Sequence, residues 1–163
     1  MDIYSPRGKQ AANLAASEVH RINEKYPITL VPFLDAYPVR YDGYVIKDGY
    51  IRAAYEIRTR NAPVIDGHLI YKGEHKFDTL LITKDKIDEC VRMCSEQKIS
   101  FYLIMKFLNC TLLWKVSDES GAFLFPMETQ IKKTRKSING GTAKRENYLI
   151  PFAKAITLFS DAH

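Results

Sequence analysis

The sequence has no apolar run near the roughly 18 residues that a membrane span requires, so no membrane partner is expected. Its opening stretch, MDIYSPRGKQAANLAASEVHRINEKY, lacks the apolar h-region of a secretory signal. Cysteine occurs three times in 163 residues. That is too few for a closed disulfide framework and points to a reducing compartment. There is no repeat with a period of about 20–50 residues, no low-complexity tract and no Pro/Gly/Ser linker. Nothing divides the chain, and a single domain over 1–163 is expected.

Hydrophobic residues make up 46% and charged ones 26%, the balance of a globular rather than a disordered chain. Lys and Arg number 24 against 19 Asp and Glu, a formal charge of +5. That excess permits nucleic acid as a partner without establishing it.

An apolar stripe of Ala11, Leu14, Ala15, Ile22 and Tyr26 predicts a helix over 8–26. ITLVPFL (28–34) contains Pro32 and reads as an edge strand or an irregular extended segment. Residues 41–60 predict a hairpin about Asp48-Gly49. FDTLLI (77–82) is a further strand, and Thr83 is placed to cap a helix over 84–98. Ile87, Cys90, Val91 and Cys94 fall at helical spacing on its core side, so these two cysteines read as buried thiols. FYLIMKF (101–107) is the nearly unbroken apolar strand of a covered sheet. A turn at Leu108-Asn109 leads to TLLWKV (111–116), where Trp114, like Tyr102 before it, reads as core. A basic segment and a last apolar stretch (148–159) follow. This order predicts an α/β or α+β fold with a mixed central sheet flanked by helices.

The chemistry gathers on the hairpin. Along IRAAYEIRTR, period-two alternation sends Ile51, Ala53, Tyr55 and Ile57 to a core face. Arg52, Ala54, Glu56, Arg58 and Arg60 go to the other. A two-residue loop alone would set Asp42 opposite Tyr55, on the wrong face. A three-residue loop or an equivalent bulge sets it opposite Glu56, and that register is expected. Carboxylates so placed lie about 5 Å apart at Cβ and repel each other. A divalent cation relieves the repulsion, and Mg²⁺ takes one or two protein carboxylates with waters and phosphate oxygens. The same spacing also suits plain solvent-facing strand residues, with Asp42 merely opening a turn with Gly43. Glu18 lies about 40° from Leu14 on the helical wheel, at the border of the apolar stripe. It is either an acid held on the core side or an ordinary amphipathic border residue.

An acidic residue on the first helix, Asp-Gly entering a hairpin, and Glu-x-Lys on its second strand mark the PD-(D/E)XK nuclease superfamily. This sequence resembles that pattern as Glu18, Asp42-Gly43 and Glu56-Ile57-Arg58 within YEIRTRN. The strand, helix and apolar strand that follow are similar in order, so the resemblance covers 8–116 and leaves a basic C-terminal extension, 117–163. It implies a restriction-endonuclease-like domain acting as a metal-dependent DNA nuclease, with DNA as partner. It further implies that Asp42, Glu56 and the Ile57 carbonyl hold Mg²⁺ or Mn²⁺, and that Glu18 anchors a water or a second metal. A small phage or bacterial endonuclease in the cytoplasm of the bacterial or infected cell is the expectation. A structure-selective or junction-resolving enzyme would fit, and junction resolution needs a homodimer.

Arg58 stands where the family has lysine. Arginine keeps the charge but hardly ever gives up its proton, so it can stabilise phosphate charge without serving as a base. Lys84 or Lys86 is then a candidate replacement amine. The alternative is a catalytically inactive nucleic-acid-binding protein on the same fold. Residues 131–145, IKKTRKSINGGTAKR, carry Lys132, Lys133, Arg135, Lys136, Lys144 and Arg145, and none of the fifteen is acidic. Beside a nuclease cleft, this Gly-tipped loop is expected to contact DNA phosphates. The polar connection 61–77 is a candidate entry for substrate by location alone. His20, His68, His75 and His163 show no ligand spacing.

Overall fold

The computed structural model describes residues 5–33, 40–135 and 142–161. The chain opens with α1 (Pro6–Lys25), capped by the Ser5 hydroxyl, which accepts from the Gly8 amide at 3.0 Å. β1 (Thr29–Pro32), β2 (Gly43–Lys47) and β3 (Tyr50–Thr59) form an antiparallel meander. Three short strands follow, β4 (Val64–Ile65), β5 (His68–Tyr71) and β6 (His75–Phe77), then β7 (Thr79–Thr83) and α2 (Lys84–Glu96). β8 (Ser100–Lys106), β9 (Cys110–Ser117), β10 (Glu128–Arg135), β11 (Thr142–Pro151) and β12 (Ile156–Ser160) complete the order.

The main sheet has six strands in the order β1-β2-β3-β8-β9-β12. β8 lies parallel to β3 and reaches it through α2, while the other neighbours are antiparallel. The fold is therefore mixed α/β, as the pattern predicts. α1 covers one face through Ile22, which packs with Ala53, Tyr55, Ile104 and Leu113. α2 covers the other through Ile87, Cys90, Val91 and Cys94, packed with Ala54, Leu103, Met105 and Trp114. Covering on both faces buries Ala53, Ala54, Tyr55 and Glu56 in succession on β3. The expectation of one core face and one open face along this strand is thus corrected. Leu14 is corrected as well. It is 46% exposed, because α1 engages the sheet through its C-terminal half, around Ile22 and Tyr26.

β1 is the edge strand that Pro32 signals. Asn23 of α1 covers its outward side, donating to the Leu30 carbonyl at 3.1 Å and accepting from the Leu30 amide at 2.7 Å. These bonds occupy the outward main-chain groups of Leu30, which blunts the edge at that residue. Thr83 does precede α2, but its side chain makes no capping hydrogen bond. All three cysteines are free and buried.

The C-terminal part is no appendage. β12 is the sixth strand of the main sheet, and β11 pairs with β7 in a second sheet of order β10-β11-β7. FDTLLI thus belongs to that second sheet, because β8 already fills the place beside β3. The basic segment expected as a loop is strand on both sides, β10 up to Arg135 and β11 from Thr142. The connection 61–77 holds the three-stranded sheet β4-β5-β6. Among the described residues no helix is long and apolar enough to cross a membrane.

Asp161, just past β12, ties the end of the described chain to both α1 and β8. Arg21 donates to it at 2.5 Å and Lys106 at 3.1 Å, and the Arg21 guanidinium lies 3.8 Å over the Phe159 ring. Arg21 first, then Lys106, hold the Asp161 carboxyl at about 2 against burial. A depressed carboxylate stabilises the fold above its unfolded value near 3.9 and loses that contribution as pH falls towards 2. Asp161→Asn should therefore cost on the order of 1 kcal/mol at pH 7, after allowance for solvent screening. Urea unfolding should show the difference from wild type shrinking between pH about 4 and 2.

Candidate active site

Two residues, Asp48 (φ 53°) and Gly49 (φ 79°), make the hairpin turn. Left-handed values at both positions match the twist of the flanking strands. From there Lys47 pairs with Tyr50 and Ile46 with Ile51, but Val45 pairs with Ala53. Arg52 is therefore an extra residue, a bulge. Its effect is a register of Gly43 against Tyr55, which sets Asp42 opposite Glu56. The expected outcome is reached by a short turn plus a bulge rather than by a three-residue loop.

β2 stops at Gly43, and beyond it Asp42 still holds on to β3. Its amide donates to the Tyr55 carbonyl at 2.8 Å, and its Oδ2 accepts from the Ile57 amide at 2.8 Å. Both main-chain groups of one strand residue point to the same edge. The Ile57 carbonyl therefore lies on the Asp42 side, past the last rung of the β2–β3 ladder. The Arg60 amide, an even-numbered group, bonds the Lys106 carbonyl on the opposite edge at 2.8 Å.

Glu56 is 4% exposed. Its Oε1 accepts from Arg58 Nε at 2.8 Å, and Lys86 Nζ stands 3.7 Å from the same oxygen. Its Oε2 is buried with no hydrogen-bond partner. An orphaned carboxylate oxygen carries a desolvation penalty that only a cation or a donor can offset. The Asp42 side chain reaches solvent, yet the protein packed around it pushes its pKa up. The Ile57 amide opposes that shift, Glu56 reinforces it, and Lys86 and Arg58 work against it. Burial sets the direction, and the like charge of Glu56 adds to it.

α2 positions the entry to this site at two points. Lys86 donates to the Arg40 carbonyl, and Gln97 bridges Tyr41 and Tyr44, giving to one hydroxyl at 2.6 Å and accepting from the other at 2.8 Å. Phe33 packs edge-on against Tyr44. The strand end that carries Asp42 is thus held between an aromatic cluster and a helix.

Asp42, Glu56, Ile57 and Arg58 come together as the sequence predicts, and Lys86 joins them. Its signal was legible in the helical wheel. Lys86 is one turn before Cys90, so it borders the buried stripe on the sheet side. Lys84 turns away and pairs with Asp88 at 2.6 Å. Glu18 does not join the group. It is buried on the α1 face, accepting from the Thr111 hydroxyl at 2.6 Å and from Arg21 at 3.2 Å. The sheet lies between it and Glu56, so it acts as a packing acid for α1. Lys132 and Lys133 sit exposed on β10, and Lys144 and Arg145 sit exposed on β11. Arg135 is the last residue of β10, and Lys136 lies outside the described residues.

Among the described residues no three His, Cys, Asp or Glu side chains converge on one point. The donors on hand for a cation are two carboxylates and one carbonyl, all oxygen. That set suits a hard divalent ion that keeps several waters. The orphaned Glu56 oxygen is the position such an ion would fill.

No family model, curated protein or solved structure matches the chain, so its function rests on the geometry of this site.

Proposed function

We propose that this protein is a metal-dependent DNA nuclease built on a restriction-endonuclease-like core. The observation that carries the reading is the buried, unpartnered Oε2 of Glu56 beside Asp42. The order of elements supports it, a helix, a three-stranded meander and a helical crossover to a strand parallel with β3. Asp42, Glu56 and the Ile57 carbonyl would hold Mg²⁺ or Mn²⁺. Such an ion supplies acidified water at neutral pH and offsets charge on the scissile phosphate.

The chain's own residues do the rest. Arg58 holds Glu56 in one orientation through Oε1, leaving Oε2 free for the ion. Lys86 carries the amine that the family places on β3. An ammonium can both stabilise phosphate charge and exchange a proton, which a guanidinium does not do. The Asp42 main chain and side chain, bonded to Tyr55 and Ile57, keep the second carboxylate in register.

A second reading has its own observation. Arg58 and Lys86 together neutralise Glu56 without any ion, which suits a silent DNA-binding protein. Incubation of supercoiled plasmid and a branched DNA with Mg²⁺, Mn²⁺ or EDTA separates the two. The nuclease reading expects cutting with metal and none in EDTA, and a rate lower by about a hundredfold in Lys86→Ala. Arg58→Lys should keep or raise activity. Wild type that binds both DNAs but cuts neither with either metal transfers the case to the silent binder.

A further inference from the structure

Some cations on the body of the molecule are paired with acids, while others, such as Lys47, Arg52 and Lys115, stand singly among the described residues. Arg21 and Lys106 share Asp161, Arg58 and Lys86 share Glu56, Lys84 has Asp88, and Arg92 has Glu89 and Glu96. What sets the β10–β11 ribbon apart is that its cations face one another. Lys132 faces Arg145 and Lys133 faces Lys144 directly across the ladder. All four are exposed, and none takes part in an ion pair among the described residues. Like charges directly opposite each other weaken an antiparallel ladder. An arrangement that costs stability and has no acid partner among the described residues calls for an anion from outside.

The ribbon also leaves the body of the protein. β7 pairs with β11 only from Asn147 to Pro151, whereas β10 follows β11 as far as Thr142. Residues 131–135 and 142–146 therefore have only each other as ladder partners and extend past the end of β7 at Thr83. α2 begins at that same end. At the root of the arm Tyr148 donates to Asp88 at 2.5 Å, in the turn of α2 next to Lys86. The arm thus springs from beside the candidate active site.

We infer that the β10–β11 ribbon is a duplex-DNA-binding arm that stands in a groove of the double helix, with Lys132, Lys133, Lys144 and Arg145 on the phosphates of both strands. The choice of DNA rests on the nuclease reading. The double-stranded form rests on the arm itself. Alternation puts the Lys132/Arg145 pair on one face and the Lys133/Lys144 pair on the other, so both groove walls are met. A two-stranded ribbon is about 10 Å thick across its faces and enters a major groove about 12 Å wide. Residues 130–135 and 142–146 contain no Phe, Tyr or Trp, so the arm has no platform on which unpaired bases could stack. Binding through phosphates needs no metal.

Fluorescence anisotropy in EDTA, with the full chain, a labelled duplex and a labelled single strand of equal length, tests this. One variant replaces Lys132, Lys133, Lys144 and Arg145 with Gln. A second, Lys132→Glu with Lys144→Glu, puts opposite charges across the ladder and so protects the ribbon's fold while cancelling its charge. Four phosphate contacts predict that the slope of log K against log salt falls by about 3.6 in the Gln variant. Duplex affinity near 0.1 M salt should fall on the order of a hundredfold in both variants, with a much smaller change for the single strand. An unchanged slope, equal losses on duplex and single strand, or wild type without duplex binding overturns the arm. Tighter binding to duplex RNA than to duplex DNA overturns the choice of partner. Plasmid cleavage with Mg²⁺, read separately, keeps the two claims apart. Cutting with duplex affinity unaffected by the variants leaves the nuclease and removes the arm. Weakened duplex binding in a protein that never cuts leaves the arm and removes the nuclease.

Discussion

Glu56→Gln should abolish cleavage in Mg²⁺ and in Mn²⁺ while leaving DNA binding in EDTA intact or slightly stronger. The substitution keeps the shape of a side chain that is 4% exposed, so no cavity opens. What changes is charge. Glu56 and Asp42 offset Arg58 and Lys86, and losing one carboxylate leaves the group net positive. A positive group repels a divalent ion and attracts a phosphate, which drives the two measurements in opposite directions. Lewis-acid stabilisation by a metal is worth several kcal/mol, and about 4 kcal/mol corresponds to about a thousandfold in rate. The expected loss is of that order. Binding and cleavage falling together would point to a damaged fold, which a thermal melt would expose. Undiminished cutting by Glu56→Gln would remove Glu56 from the chemistry altogether.

Gly43→Ala should be among the most damaging single substitutions in the chain. A Cβ there would lie 2.3 Å from the Val31 carbonyl oxygen and 2.8 Å from both Cε1 and Oη of Tyr55. The first of these is backbone of the neighbouring strand and cannot swing aside. Relief requires β1 and β2 to separate, at about 3 kcal/mol, or roughly 10 °C in melting temperature for a chain of this size. The carboxylate of Asp42 is one residue away, so cleavage should fall with stability. Adding Tyr55→Phe should recover only part of the loss, because it removes the hydroxyl contact and leaves the carbonyl one. Tyr55→Phe alone should be neutral or mildly stabilising, since that hydroxyl is buried without a partner. A Gly43→Ala protein melting within about 2 °C of wild type would sink this account.

The Asp-Gly pair at the mouth of the hairpin thus has a dual origin. Asp42 faces the site, and Gly43 leaves room for Tyr55 packed from the opposite strand. Only the first half is visible in a pattern of letters. The second needs three strands laid side by side.

Local interactions account for the elements legible in the residue pattern. Helical spacing placed α2 and its buried Ile87, Cys90, Val91 and Cys94, and the apolar run placed β8. Asp48-Gly49 located the turn, and alternation with the required register brought Asp42 opposite Glu56. Each of these depends on residues within one hairpin or one helix, where the period of the backbone does the selecting.

Tertiary structure decided everything that depends on which face meets which. Glu18 satisfied the helical wheel, yet α1 and α2 lie on opposite faces of the sheet, so it bonds Thr111 while Lys86 reaches Glu56. A wheel gives an angle about one axis and says nothing of which side of a sheet the axis will occupy. The C-terminal strands counted as an extension became the sixth strand of the main sheet and the partner of β7, pairings that span long stretches of chain. The basic segment read as a loop because charged, Gly-containing residues favour turns locally, but β7 supplies the anchored edge from which a ribbon can extend. Contacts between distant segments chose the face, the edge and the direction. Those choices determine which charges meet at one site.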